Sequence, residues 1–136
     1  VEPSGKVSLL AAGLARPNGI ALHKNRAYVT EYSAGRIMTF ELGKDGGQVG
    51  EVKLFVDLNA MAKDKGIAGQ GGADGIRCDK DGNIYSTGPG GVWALNSKGE
   101  FRGHLPFRAT NIELGGKDGK TMLLTTGRGV ATIGLK

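Results

Sequence analysis

The chain has 136 residues, 25 of them glycine and 4 proline, with 39% hydrophobic and 6% aromatic residues and a formal net charge of +5. Glycine exceeds its usual share of roughly 7% without a three-residue period, which excludes collagen, and no apolar run approaches the roughly 20 residues of a membrane span. The 18 basic residues are scattered as singles and close pairs such as Lys24 with Arg26, with no basic run beside aromatics, so the expected partners include neither nucleic acid nor membrane.

In chain order the sequence repeats itself. Ser4–Gly5–Lys6–Val7 reads as the last strand of a unit that begins earlier. Asn18–Leu22, Arg26–Thr30 and Arg36–Phe40 follow as three short strands, and Asp45–Val49 opens a fourth. An insertion spans 57–72, in which Asp57 and Gly66 suit the N-cap and C-cap of one or two helical turns. It reads as a crossover on the surface or as a flap over a central site.

The second unit runs Asp74–Cys78, Asn83–Thr87, Gly91–Leu95 and Ser97–Phe101, and the third Asn111–Leu114, Thr121–Thr125 and Gly129–Ile133. Alternating apolar residues rich in β-branched and aromatic types favour strands, and Asp81–Gly82 and Asp118–Gly119 supply hairpin turns. With strands lettered A to D, residues 1–136 read D, ABCD, ABCD, ABC. Four-stranded units repeating at this length are the mark of β-propeller blades. The expected fold class is all-β, with this chain supplying about three blades of a ring that needs at least four.

Strand A of each blade lines the central channel of a propeller, so residues just before it converge on one mouth. Asn18 and Asp74 hold that position, Asn111 is their third-blade counterpart, and Glu31 after strand B is expected on the same face. These are hard oxygen donors, suited to Ca²⁺, Mg²⁺ or Mn²⁺. The plainer alternative is that Asn18 and Asp74 merely form turns with the glycines that follow. His23 and His104 fall where turns or outer strands are expected. Cys78, the one cysteine, reads as a small packing residue inside a strand. No signal peptide is visible. A soluble protein is expected, and a cytoplasmic, periplasmic or secreted location stays open.

The segments Arg16–Leu22, Ala27–Glu31, Gly72–Asp79, Asp81–Tyr85 and Thr110–Gly116 together resemble the SMP-30/gluconolactonase/luciferin-regenerating family, over its C-terminal half. The resemblance implies a six-bladed propeller with one divalent metal in its channel, calcium ahead of zinc, magnesium or manganese. It implies that Asn18 is a metal ligand and that Asp74 is both a ligand and the general base of lactone hydrolysis. Asn111 and Glu31 are weaker candidates for substrate or supporting contacts. The family's third ligand, a glutamate from the first blade, has no counterpart here, so activity is expected only with the other half of the ring. That half would come from a separate polypeptide or from a second copy of this chain. A non-catalytic propeller that binds a protein or carbohydrate is the alternative.

Overall fold

The computed structural model describes residue 5 and residues 7–135. It contains three antiparallel sheets, each a simple meander. The first comprises β1 (Pro17–His23), β2 (Arg26–Glu31), β3 (Arg36–Leu42) and β4 (Gln48–Asp57). The second comprises β5 (Ile76–Cys78), β6 (Ile84–Gly88), β7 (Gly91–Leu95) and β8 (Phe101–Leu105), and the third β9 (Asn111–Gly115), β10 (Thr121–Thr125) and β11 (Val130–Gly134). These are the expected blades in the expected order. Ser4 and Lys6 of the leading strand lie outside the described residues, among which the first strand begins at Pro17.

The hairpins follow from their turn residues. Gly82 and Gly119 have φ of 83° and 70°, a region that the missing Cβ leaves open to glycine. Both fourth strands begin later than the sequence suggests. In the second blade, the Asn96 side-chain oxygen accepts from the backbone N–H of Lys98 (3.0 Å) and Glu100 (2.9 Å), which curls residues 96–100 into a turn before β8. In the first blade, Asp45 accepts from the N–H of Gly47 at 3.0 Å, and β4 starts at Gln48. A short polar side chain that offers its own acceptor two residues on competes with strand pairing.

Between the first two sheets runs α1 (Leu58–Lys65). Asp57 caps it by accepting from the Ala60 N–H at 2.8 Å, and Gly66 ends it in the left-handed conformation, φ 64°. Leu58 and Ala62 anchor the helix in the largest core, which fills the space between sheets one and two with Tyr28, Ile37, Ile76, Ile84, Trp93 and Leu95. Trp93 is fully buried, and its indole N–H donates to the Pro89 carbonyl at 3.0 Å. A smaller core of Val92, Ile112, Met122 and Leu124 joins sheets two and three. The sheets therefore stack as consecutive blades.

The far face of sheet one is also apolar. Ala27, Val29 and Phe40 pack there under Ala11 and Leu14. Along β1, Ala21 points into the core between blades, while its neighbours Ile20 and Leu22 are 59% and 58% exposed on the opposite side.

Candidate functional site

The same device repeats at one end of each blade. Near the close of each second strand stands a threonine: Thr30, Thr87 and Thr125. The Thr30 hydroxyl accepts from the Gly19 N–H at 2.7 Å and donates to the Asp74 carbonyl of the next blade at 2.6 Å. Thr87 accepts from the Asp74 N–H at 2.9 Å, and the Thr125 hydroxyl shares a hydrogen bond of 2.9 Å with that of Thr110. The backbone of Asp74 is thus held on one side by its own blade and on the other by its neighbour. With both peptide groups fixed, its side chain has a defined point of departure.

The glycines after the oxygen donors serve this junction. Neither Gly19 nor Gly75 has a positive φ. A Cβ on Gly19 would strike the Asp74 carbonyl oxygen, and one on Gly75 would lie 2.5 Å from the Asn111 Cα. Each glycine lets the next blade's donor residue approach. Asn18–Gly19 and Asp74–Gly75 are therefore contact motifs between blades, and the turn reading does not describe them.

The junction opens on a cavity of about 490 Å³ lined by Asn18, Gly19, Ile20, Asp74, Gly75, Arg77, Thr110 and Asn111. Burial pushes the Asp74 carboxyl above its ordinary value, and no neighbouring cation or hydrogen-bond donor contributes to the shift. A carboxylate partly removed from water without compensation favours a cation beside it. Asn18 brings its amide to the same cavity. Asn111 does too, although its oxygen accepts from the Ile112 N–H at 2.9 Å. A carboxylate with amide oxygens suits a hard divalent ion, which needs further oxygens to fill its shell. Among the described residues, no three His, Cys, Asp or Glu side chains gather as a ligand cluster.

Glu31 lies elsewhere. It is 2% exposed, pairs with Arg36 at 2.7 Å and accepts from the Ala15 N–H at 2.8 Å. Its oxygens tie the entry of β1 to the β2–β3 turn, and it does not line the cavity. His23 and His104 are also absent from the lining. His104 packs edge-on against Trp93, 4.9 Å between ring centres. The Cys78 thiol is pushed up to about 11, first by burial and then by the charge of Asp79, as suits a packing residue.

Two polar lining residues, Arg77 and Thr110, were not singled out from the sequence. Thr110 meets the recurring threonine Thr125 only across the sheet, 15 residues on, so residue order carries no signal for it. Arg77 sits inside a strand and carries no motif of its own.

Residues 1–128 match the family model described as the SMP-30/Gluconolactonase/LRE-like region. A gluconolactonase of Zymomonas mobilis is 28% identical over 143 residues, taking in 100% of this chain and 39% of that protein. Among solved structures, regucalcin, a calcium-binding protein from Agrobacterium tumefaciens, matches with a TM-score of 0.74 and 26% identity, over 91% of this chain and 42% of that one. A gluconolactonase of Xanthomonas campestris matches with a TM-score of 0.72 and 24% identity, over 92% and 39%, and at that identity it shows the fold alone. The chain thus spans well under half the length of these relatives.

Proposed function

From the premise that the chain belongs to the SMP-30/gluconolactonase/LRE-like family, we propose that it carries the metal-binding and proton-accepting part of a lactone hydrolase of the gluconolactonase type. The observation behind this reading is the uncompensated Asp74 carboxylate in one cavity with Asn18 and Asn111. Asn18 and Asp74 would hold one divalent ion. Calcium is favoured by the all-oxygen donor set and by the calcium-binding regucalcin among the structural relatives. Such an ion, when bound, supplies Lewis acidity toward a carbonyl oxygen.

The chain's own residues account for the rest. Asp74, clamped through its backbone by Thr30 and Thr87, accepts a proton from a water molecule as the water oxygen bonds to the lactone carbonyl carbon. The ring carbon–oxygen bond then breaks, and the departing alkoxide oxygen takes a proton, so that one lactone and one water give one hydroxy acid. Asn18 and Asn111 orient polar groups at the mouth.

The ring is completed by further blades packed on the apolar face that exposes Ile20 and Leu22. The remainder of a longer chain, a separate polypeptide or a second copy could each supply them, together with the remaining acidic ligand. The test is proton release from D-glucono-1,5-lactone above the spontaneous rate, measured in a pH-stat on the ring-complete protein with and without calcium. Asp74→Ala is expected to abolish the metal-dependent rate and leave the circular dichroism unchanged. Full turnover by that variant removes the assignment.

A further inference from the structure

The cavity of about 490 Å³ contains one charged group that the reaction above does not use, the guanidinium of Arg77. Arg77 lies on β5, three residues beyond Asp74 in the chain, and it is held in two ways. Its Nε donates to the Glu113 carboxylate of β9 at 3.0 Å, and one terminal nitrogen donates to the Ile76 carbonyl at 2.7 Å. These bonds engage two of the five N–H donors that a guanidinium presents. Glu113 in turn accepts from Arg77 and from its own neighbour, the Leu114 N–H at 3.0 Å, and its side chain is 61% exposed.

As a structural element the pair has modest value. It crosses from blade two to blade three with side-chain exposures of 32% and 61%, and ion pairs this open to water add little stability. The cores beneath already join those blades. As a recognition element the pair is well equipped. It presents the N–H donors of Arg77 in the cavity that holds Asp74, beside the amide of Asn111 and the hydroxyl of Thr110, while Glu113 braces the guanidinium from outside the lining. A hydroxyl both donates and accepts, so a ring bearing adjacent hydroxyls satisfies the Arg77 donors and the Asn111 and Thr110 oxygens together. An unsubstituted ring satisfies neither and leaves desolvated polar groups unmatched.

We infer that Arg77, positioned by Glu113, is a specificity residue that binds the ring hydroxyls of a polyhydroxylated lactone. This inference rests on the lactone-hydrolase reading of the site and adds to it the residue that selects among lactones.

Two lactones of the same ring size test it on the ring-complete protein: hydroxylated D-glucono-1,5-lactone and bare δ-valerolactone. Loss of hydrogen bonds from a charged donor in a site built for hydroxyls is expected to raise KM for the glucono-lactone about tenfold or more in Arg77→Met, with kcat little changed. KM for δ-valerolactone should not move. Glu113→Gln keeps the shape but frees the guanidinium, and it should raise KM for the glucono-lactone by a smaller factor. Arg77→Lys, which keeps the charge and loses the fork, should fall between wild type and Arg77→Met.

Unchanged KM values in Arg77→Met, or equal losses on both lactones, overturn the inference and leave the lactonase reading standing. If the wild-type protein hydrolyses neither lactone, the lactonase reading fails, and calorimetric titration with D-gluconate decides the rest. Binding that Arg77→Met weakens upholds hydroxyl recognition by Arg77. Absent binding, or equal binding by both proteins, overturns it.

Discussion

Replacing Gly19 by alanine tests the junction from which the site is built. The added Cβ would overlap the Asp74 carbonyl oxygen and lie 3.1 Å from the Ile76 nitrogen. Both are backbone atoms of the neighbouring blade and cannot rotate aside, so β1 must move outward as a unit. Overpacking of this kind costs about 1–3 kcal/mol. The shift also stretches the two Thr30 bonds, to the Gly19 N–H at 2.7 Å and the Asp74 carbonyl at 2.6 Å, each worth about 1 kcal/mol.

The sum is a loss of about 3–5 kcal/mol, which at a urea dependence of about 2 kcal/mol/M lowers the unfolding midpoint by about 1.5–2.5 M. Trp93, the one tryptophan, is buried between the two blades and reports the transition by its fluorescence. Gly103→Ala is the control, since an added Cβ there meets nothing within 4 Å, and it should leave the midpoint unchanged or raise it slightly. An unshifted midpoint in Gly19→Ala, or an equal drop in Gly103→Ala, would refute the argument that close approach of the blades requires glycine here.

Calcium affinity should weaken on acidification at a higher pH than an ordinary aspartate would give, because burial raises the Asp74 carboxyl and protons compete for it; titrations at several pH values check this. Since the folded state holds that proton where the unfolded chain has lost it, Asp74 lowers stability as pH rises through this window. Asp74→Asn should therefore be more stable than wild type at neutral pH without metal, as read by urea denaturation. Trp93→Ala, which empties a fully buried site and leaves the Pro89 carbonyl unpaired, should cost about 3–5 kcal/mol in thermal or urea unfolding. Cys78, with its thiol pushed up to about 11, should react slowly with iodoacetamide at pH 8 in the native protein and rapidly in urea; equal rates would contradict its burial.

Local features were legible from residue order because local chemistry determines them. Asp57 and Gly66 cap α1 as their types imply, since each cap bond is made within a few residues. Asp81–Gly82 and Asp118–Gly119 turn where a positive φ is needed. The late starts of β4 and β8 are not legible from residue order, because the side-chain acceptor of Asp45 or Asn96 and a strand partner compete for the same N–H groups and the sequence does not say which wins.

Glu31 shows a different limit. Its position at the end of the second strand points to the channel mouth, but Arg36, five residues on, and the Ala15 N–H satisfy its carboxylate inside the blade. Charge complementarity between loops is a matter of three-dimensional approach, and residue order alone left it open.

The sequence by itself determined the repeat, the all-β class, the strands of three consecutive blades and the convergence of Asn18, Asp74 and Asn111. Each of these rests on periodicity and turn chemistry, which act over a few residues and recur with the unit. Only the tertiary structure decided why glycine follows Asn18 and Asp74, that Thr30 clamps the backbone of a residue 44 positions away, and that Arg77 shares the Asp74 cavity. These depend on how closely one blade packs against the next, a distance set by the side chains of both cores together and written in neither blade alone.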